Sequence, residues 1–303
     1  MFRLKTVLST AALSMIAAGA VMTTANTSTA AAPSAASADD TSAIYKRMID
    51  QVGPTLVTVK YVMKMEAGGQ MSEYLGGMFG DQGRDAESTG VMIEPGGLVL
   101  LSNAKMGGIF ARFGGGISVN PTDIKVLIGD DTEGLKGKIL ARDTDLDLCW
   151  VQIDDPKASG KTFKALDIGA TAASEASIGE RLFAVDRMGK FFDHALTVAE
   201  GRIGGKARKP RELIIPSGGG VGGDLGMPIF NEAGKVVGVS VLQTPSKEDM
   251  EGGDMEGMFG GGGGGAMILP ASEVVKATAR GKEMAAKAPK EEEKKDASAE
   301  KKE

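Results

Sequence analysis

The sequence predicts an all-β protein made of two β-barrels, with a short helix at each end. Short runs of strand character recur at 56–62, 90–93, 97–101, 124–128, 138–140 and 148–153, then at 181–185, 195–199, 213–215, 227–231, 235–242 and 266–269. Gly, Pro and Asp turns separate them, the pattern of a sandwich or barrel. A Lys/Ser/Gly break at 155–161 divides the runs into two groups of similar size, hence two barrels. The chain also carries 44 Gly and only 5% aromatic residues. That glycine load suits a loop-rich β fold, because each Gly costs a helix interior about 1 kcal/mol.

The chain begins with basic residues at Arg3 and Lys5, followed by a small apolar run over 7–22 and a Thr/Ser/Ala stretch. This is the pattern of a secretory signal over 1–29, so the protein is expected to be exported, to a periplasmic or extracellular location. The apolar run is shorter than the roughly 20 residues of a spanning helix and is broken by Ser9, Thr10 and Ser14, so no transmembrane segment is expected after signal removal. An Ala/Ser/Pro spacer follows over 30–42, and Thr41 or Ser42 can cap a helix that places Ile44, Met48, Ile49 and Val52 on one face. Gly53-Pro54 ends that helix.

Two glycine and methionine loops interrupt the strands, at 67–88 and 248–265, and both contain Gly-Met-Phe-Gly. Met78 and Phe79 in the first, with Met258 and Phe259 in the second, are candidate binding residues, since mobile loops with soft apolar side chains make adaptable surfaces. The alternative is a pair of low-complexity insertions with no partner. A helix capped by Ser272 closes the domain near Arg280, and 281–303 is a charged Lys/Glu/Ala tail with no apolar face. The net charge of −5 argues against nucleic acid as a partner, because phosphate binding needs a basic face. Cys149 is the only cysteine and sits in an apolar run, where it reads as a small buried hydrophobe, and the single histidine, His194, removes His-rich metal sites.

Three collinear anchors carry a family resemblance over about residues 43–280, divided near 157 into two halves. The segment 90–106 begins Gly-Val-Met-Ile-Glu-Pro-Gly-Gly and ends Ser102-Asn103-Ala104-Lys105-Met106; the segment 142–153 reads Arg-Asp-Thr-Asp-Leu-Asp147-Leu-Cys-Trp-Val-Gln-Ile; the third anchor is Gly223-Asp224-Leu225-Gly226-Met227-Pro228, with its following hairpin. Together they resemble the trypsin-like serine proteases, in particular the Deg/HtrA branch. The resemblance implies two six-stranded antiparallel β-barrels of the chymotrypsin/trypsin type. It also places Ala104 at the general base, Asp147 at the triad aspartate and Leu225 at the nucleophile, with the backbone N–H groups of Gly223 and Leu225 as oxyanion donors.

Acyl transfer by such a triad needs a hydroxyl and an imidazole, and neither Leu225 nor Ala104 supplies one. Loss of triad members removes on the order of a million-fold of rate. The expectation is therefore an exported pseudoprotease without a cofactor or metal, which binds unfolded or extended polypeptide. One alternative is an active endopeptidase with a relocated nucleophile, for which Lys105 and Ser217 are a conceivable pair; another is a structural envelope protein. A calcium loop at Asp143, Asp145 and Asp147 is disfavoured, since Leu148 stands where that loop needs Gly. Asp147, left without an imidazole, is expected to be satisfied by backbone or hydroxyl donors near Ser102 and Asn103. Too few residues follow position 280 for a PDZ-like domain to be expected there.

Overall fold

A computed structural model describes residues 36–66, 83–108, 118–157, 159–160, 162–218, 220–243 and 265–287. The signal over 1–29, the candidate residues Met78, Phe79, Met258 and Phe259, and the tail beyond 287 lie outside the described residues. Helix α1 (Ala36–Val52) leads into β1 (Leu56–Glu66), β2 (Arg84–Glu94), β3 (Leu98–Ser102), β4 (Ser118–Ile128), β5 (Leu135–Asp143) and β6 (Leu148–Ile153). The second half contains β7 (Arg181–Arg187), β8 (Leu196–Ala207), β9 (Leu213–Ser217), β10 (Pro228–Asn231), β11 (Val236–Gln243) and β12 (Gly265–Pro270), and helix α2 (Ala271–Lys287) closes it. The strands close into two barrels, in the orders β1-β2-β3-β6-β5-β4 and β10-β11-β12-β9-β8-β7, each antiparallel throughout. This is the chymotrypsin-like architecture of two closed six-stranded barrels.

The apolar runs are continuous because several strands are buried on both faces. In β6, Cys149, Val151 and Ile153 fill barrel one, while Leu148 and Trp150 face a second cluster shared with the other barrel and both helices. Strand β3 divides in the same way, with Val99 and Leu101 inside and Leu98 and Leu100 outside. Barrel two repeats the device: Leu182 and Ile229 point inward with Ile203, Ile214, Val237 and Ile268, whereas Phe183 and Phe230 join the shared cluster. Period-two alternation thus builds three apolar layers, one inside each barrel and one between them. Burying each large side chain stabilises the fold by roughly 1.5–3 kcal/mol.

Three expectations about element ends need correction. Helix α1 starts at Ala36, six residues inside the 30–42 spacer, whose Ala content favours helix. It docks Ile44, Met48 and Val52 in the shared cluster, and Tyr45 meets Phe183 edge-on at 6.2 Å. The paired strands β1 and β2 run past their apolar stretches, since ladder pairs such as Val62 with Asp85 and Met63 with Arg84 need only backbone groups. Helix α2 continues to Lys287, past the helix end expected near Arg280. Gly281 lies on the Trp150 ring, where an added Cβ would come within 3.3 Å, and the Trp150 indole N–H donates to Thr278 Oγ1 at 3.1 Å. A Cβ there would press on Ala141 and Trp150 a few tenths of an ångström inside ordinary contact, so glycine eases this approach.

Candidate functional site

The three anchors of the sequence meet where the barrels face each other. Ala104 opens a tight turn over Ala104–Gly108 after β3, Asp147 precedes β6, and Leu225 lies between β9 and β10. Gly226 makes that approach possible: at φ +86° a Cβ there would stand 2.5 Å from the backbone nitrogen of Ser102. Barrel two therefore touches the end of β3 through a backbone that carries no side chain.

Asp147 is buried, 3% exposed, and takes up a left-handed conformation at φ +58°. Its Oδ2 accepts the Ser102 hydroxyl at 2.9 Å and the Leu242 N–H at 2.7 Å, and its Oδ1 accepts the Ala104 N–H at 2.6 Å. The expectation of local donors is correct for Ser102 and Ala104, while Asn103 contributes only chain geometry, its N–H donating to the Asp147 carbonyl. Leu242 comes from the opposite barrel. A buried carboxylate with three such donors is compensated without an imidazole.

One of the two oxyanion donors that the resemblance names is engaged within its own loop. The Gly223 N–H donates to the Gly220 carbonyl at 2.9 Å, closing a turn within the loop. Glycines at φ +69°, +78° and +90° (Gly218, Gly220 and Gly222) allow the run to fold back on itself, a path closed to residues with a Cβ. Gly223 thus spends its donor on its own loop.

Beside Ala104 and Leu225 stands a charged pair. The Lys105 ammonium, next to Ala104, forms an ion pair with the carboxylate of Asp224, next to Leu225; each side chain is a quarter exposed. Burial pushes the Lys105 ammonium down to about 8, with Asp186 and Asp147 pulling in the opposite direction. The pair lies in a cleft of about 520 Å³ whose walls include Glu87, Ser88, Asp186, Arg187 and His194. Asp186 is held above the ordinary carboxylate range, because burial outweighs the Arg187 N–H, the charge of Lys105 and the Thr89 hydroxyl. Tyr61 anchors the turn by donating its hydroxyl to the Lys105 carbonyl at 2.7 Å, and burial holds this phenol up at about 12.

Lys105 is not assembled with Ser217, whose hydroxyl points to the Arg202 carbonyl at 3.5 Å on the exposed face of β9. His194 lies in the β7–β8 turn at φ +53° and lines the cleft near Lys105, a position its sequence context did not reveal. Asp224 was equally missed, although its place beside the nucleophile position was the available signal. Cys149 is fully buried, and desolvation pushes its thiol up to about 12, which makes it inert. Among the described residues no group of three or more His, Cys, Asp or Glu side chains is placed to hold a metal ion, and no helix is long and apolar enough to cross a membrane.

A family model for the trypsin-like peptidase domain matches residues 88–239, a span that contains Ala104, Asp147 and Leu225. Among solved structures, the HtrA-type protease AlgW, as a serine-to-alanine variant with a decapeptide, is 15% identical over 78% of this chain, with a TM-score of 0.49. This chain spans 65% of that structure, just under two thirds. The MamO protease domain from Magnetospirillum magneticum, in its apo form, is 16% identical over 75% of this chain and 97% of that one, with a TM-score of 0.44. No curated protein matches the chain.

Proposed function

Because the chain belongs to the trypsin-like peptidase family, we propose that it is an exported member without proteolytic activity, which binds extended polypeptide in the cleft between its barrels. One observation carries this reading. The positions of nucleophile and base hold Leu225 and Ala104, and the carboxylate that would orient an imidazole accepts Ser102, Ala104 and Leu242 instead. No proton acceptor and hydroxyl are set against each other there, so the acyl-transfer step has no starting point.

The cleft supports polypeptide as its ligand. Its volume of about 520 Å³ suits a side chain with flanking backbone, and Thr58, Ser88 and Thr89 line it with hydroxyls beside the charged groups. The two Met/Gly/Phe loops follow β1, whose partner β2 carries Glu87 of the cleft wall, and β11, which ends at Gln243. Met78, Phe79, Met258 and Phe259 are assigned to extend the binding surface. The basic start and apolar run over 7–22 support export.

The test uses the mature protein with unfolded, carboxymethylated casein. Saturable binding that weakens when 67–82 or 250–264 is deleted is expected, together with background labelling by a fluorophosphonate and no casein cleavage. Absence of binding in any buffer would remove the reading. A relocated nucleophile is the second reading, favoured by the hydroxyls that share the cleft with Lys105; its signature is labelling that disappears when one serine, such as Ser88, is replaced.

A further inference from the structure

We propose that the β8–β9 hairpin docks the protein on an anionic lipid surface: its cationic tip meets the headgroups and holds the molecule with the interbarrel cleft turned away from the bilayer. This goes beyond the polypeptide-binding reading and does not depend on it.

The charges are concentrated in one place. Lys206, Arg208, Lys209 and Arg211 put four cations within six residues, in a chain whose net charge is −5. Lys206, Arg208 and Lys209 are exposed, and Arg211 is partly so. Among the described residues none of these four side chains has a hydrogen bond or an ion pair. The arginines of the barrel wall are occupied by contrast: Arg181 pairs with Glu200 at 2.9 Å, and Arg202 donates to the Gly179 carbonyl at 2.8 Å. Like charges so close together repel one another, and the only acid at the tip is Glu212. A counter-charge from outside the molecule relieves that repulsion.

The hairpin presents these charges on firm arms. Strand β8 ends at Ala207 and β9 begins at Leu213, so 208–212 form the turn. Leu213 is buried in the shared cluster with Ala207 packed against it, and Ile214 lies inside barrel two. Ile214 pairs with Ile268 of β12, which puts the tip at the end of barrel two where β12 passes into α2. His194 and the cleft lie beyond the other end of β8, roughly 35 Å away along the strand. A projecting tip suits a plane, whereas a polymer chain is held in a groove, and the turn carries no aromatic ring on which a base could stack. Clusters of Lys and Arg bind anionic headgroups with about fivefold of affinity per cation. The rest of the chain is acidic and is repelled by the same surface, so the tip faces the lipid and the cleft faces away.

The experiment uses the mature chain, without the apolar run of 7–22, and phosphatidylcholine vesicles with or without phosphatidylglycerol, read by co-sedimentation at low ionic strength. Wild type is expected to bind only the anionic vesicles and to be released as salt rises. The variant Lys206→Gln/Arg208→Gln/Lys209→Gln/Arg211→Gln is expected to bind them about a hundredfold more weakly or worse, and the milder Arg208→Gln/Lys209→Gln about twentyfold. A control with the same charge change elsewhere on the exposed surface, Lys64→Gln/Lys125→Gln/Lys136→Gln/Lys235→Gln, keeps the wild-type affinity. Trp150 emission checks that every variant is folded. Hydrogen exchange on the vesicles slows over 206–212 and stays unchanged over 188–194, at the cleft end of β8. Failure of wild type to bind the anionic vesicles overturns the proposal, as does an equal loss in the control, which would mean that net charge alone is read. Slowing over 188–194 instead of 206–212 overturns the orientation. Tighter binding of soluble polyglutamate than of vesicles through the same four residues assigns the tip to an acidic polymer and overturns the lipid surface.

Discussion

The Leu242 N–H of barrel two donates to Asp147 Oδ2 of barrel one at 2.7 Å, between residues 95 apart in the chain. The carboxylate that the resemblance assigns to catalysis therefore joins the two barrels. With the Ser102 hydroxyl and the Ala104 N–H on the same group, its removal leaves three donors facing no acceptor. Asp147→Ala is expected to lower the unfolding free energy by about 3 kcal/mol or more, since each buried unsatisfied donor costs about 1–3 kcal/mol. Urea denaturation measures it. A change under about 0.5 kcal/mol, the range of ordinary surface substitutions, would assign the carboxylate no structural role.

On the proposed reading without proteolytic activity, supplying one hydroxyl is not expected to produce catalysis. Leu225→Ser supplies a hydroxyl, but Ala104 still offers no proton acceptor and the Gly223 N–H still faces Gly220. Fluorophosphonate labelling of Leu225→Ser is expected to stay at the wild-type background. Strong labelling of this single variant would mean that Lys105 or His194 takes the serine proton.

Lys105 links stability to pH. Its proton is bound less tightly in the folded protein, at about 8, than at the ordinary 10.5, and burial is the main cause. Between these values the unfolded chain holds more protons than the folded one, so stability rises with pH across that window; below pH 8 the full cost of the buried charge is present. Against Lys105→Met as reference, wild type is expected to gain stability from pH 7.5 to 10 in denaturant melts, by an amount trimmed by solvent because the side chain is a quarter exposed. A difference between the two proteins that does not vary with pH would place the ammonium in solvent.

The close approach of the barrels at Gly226 predicts a large effect from a small change. Gly226→Ala adds a Cβ 2.5 Å from the Ser102 nitrogen and 3.0 Å from the Leu101 carbonyl carbon, at a φ of +86°. Backbone cannot rotate away as a side-chain tip can, so a loss of about 3 kcal/mol or more is expected, from strain and overpacking together. Thermal unfolding reads it, and an unchanged midpoint would show that the barrels can separate at this point.

Helix α2 supplies a fluorescence test. Trp150 is the sole tryptophan, and it is covered at Gly281 and bonded to Thr278. Gly281→Val is expected to lift the helix, shift the emission to the red and lower stability by about 1–3 kcal/mol, the usual cost of overpacking. Unaltered emission would place the helix off the indole.

How much of this was legible in the sequence follows from what each pattern encodes. Strand positions in both barrels could be read because alternation and turn residues are local, and β3 or β6, buried on both faces, announce themselves as apolar runs. The three anchors around Ala104, Asp147 and Leu225 were legible for the same reason, since each is a short local motif. The ends of α1 and α2 were less so, since Ala36 to Asp40 and the stretch past Arg280 lack the apolar periodicity that marks a packed helix. Packing of Gly281 on Trp150 depends on an element 131 positions away in the numbering.

The succession of strands and their grouping into two barrels were thus determined by the sequence itself, as local periodicity and motif. Only the tertiary structure decided which polar groups meet. Leu242 reaches Asp147, Lys105 reaches Asp224, and Gly223 turns back to Gly220, because barrel closure and the approach at Gly226 set those distances. A polar side chain takes whichever complementary group the packed backbone leaves within about 3 Å, and nothing in its own stretch of chain names that group.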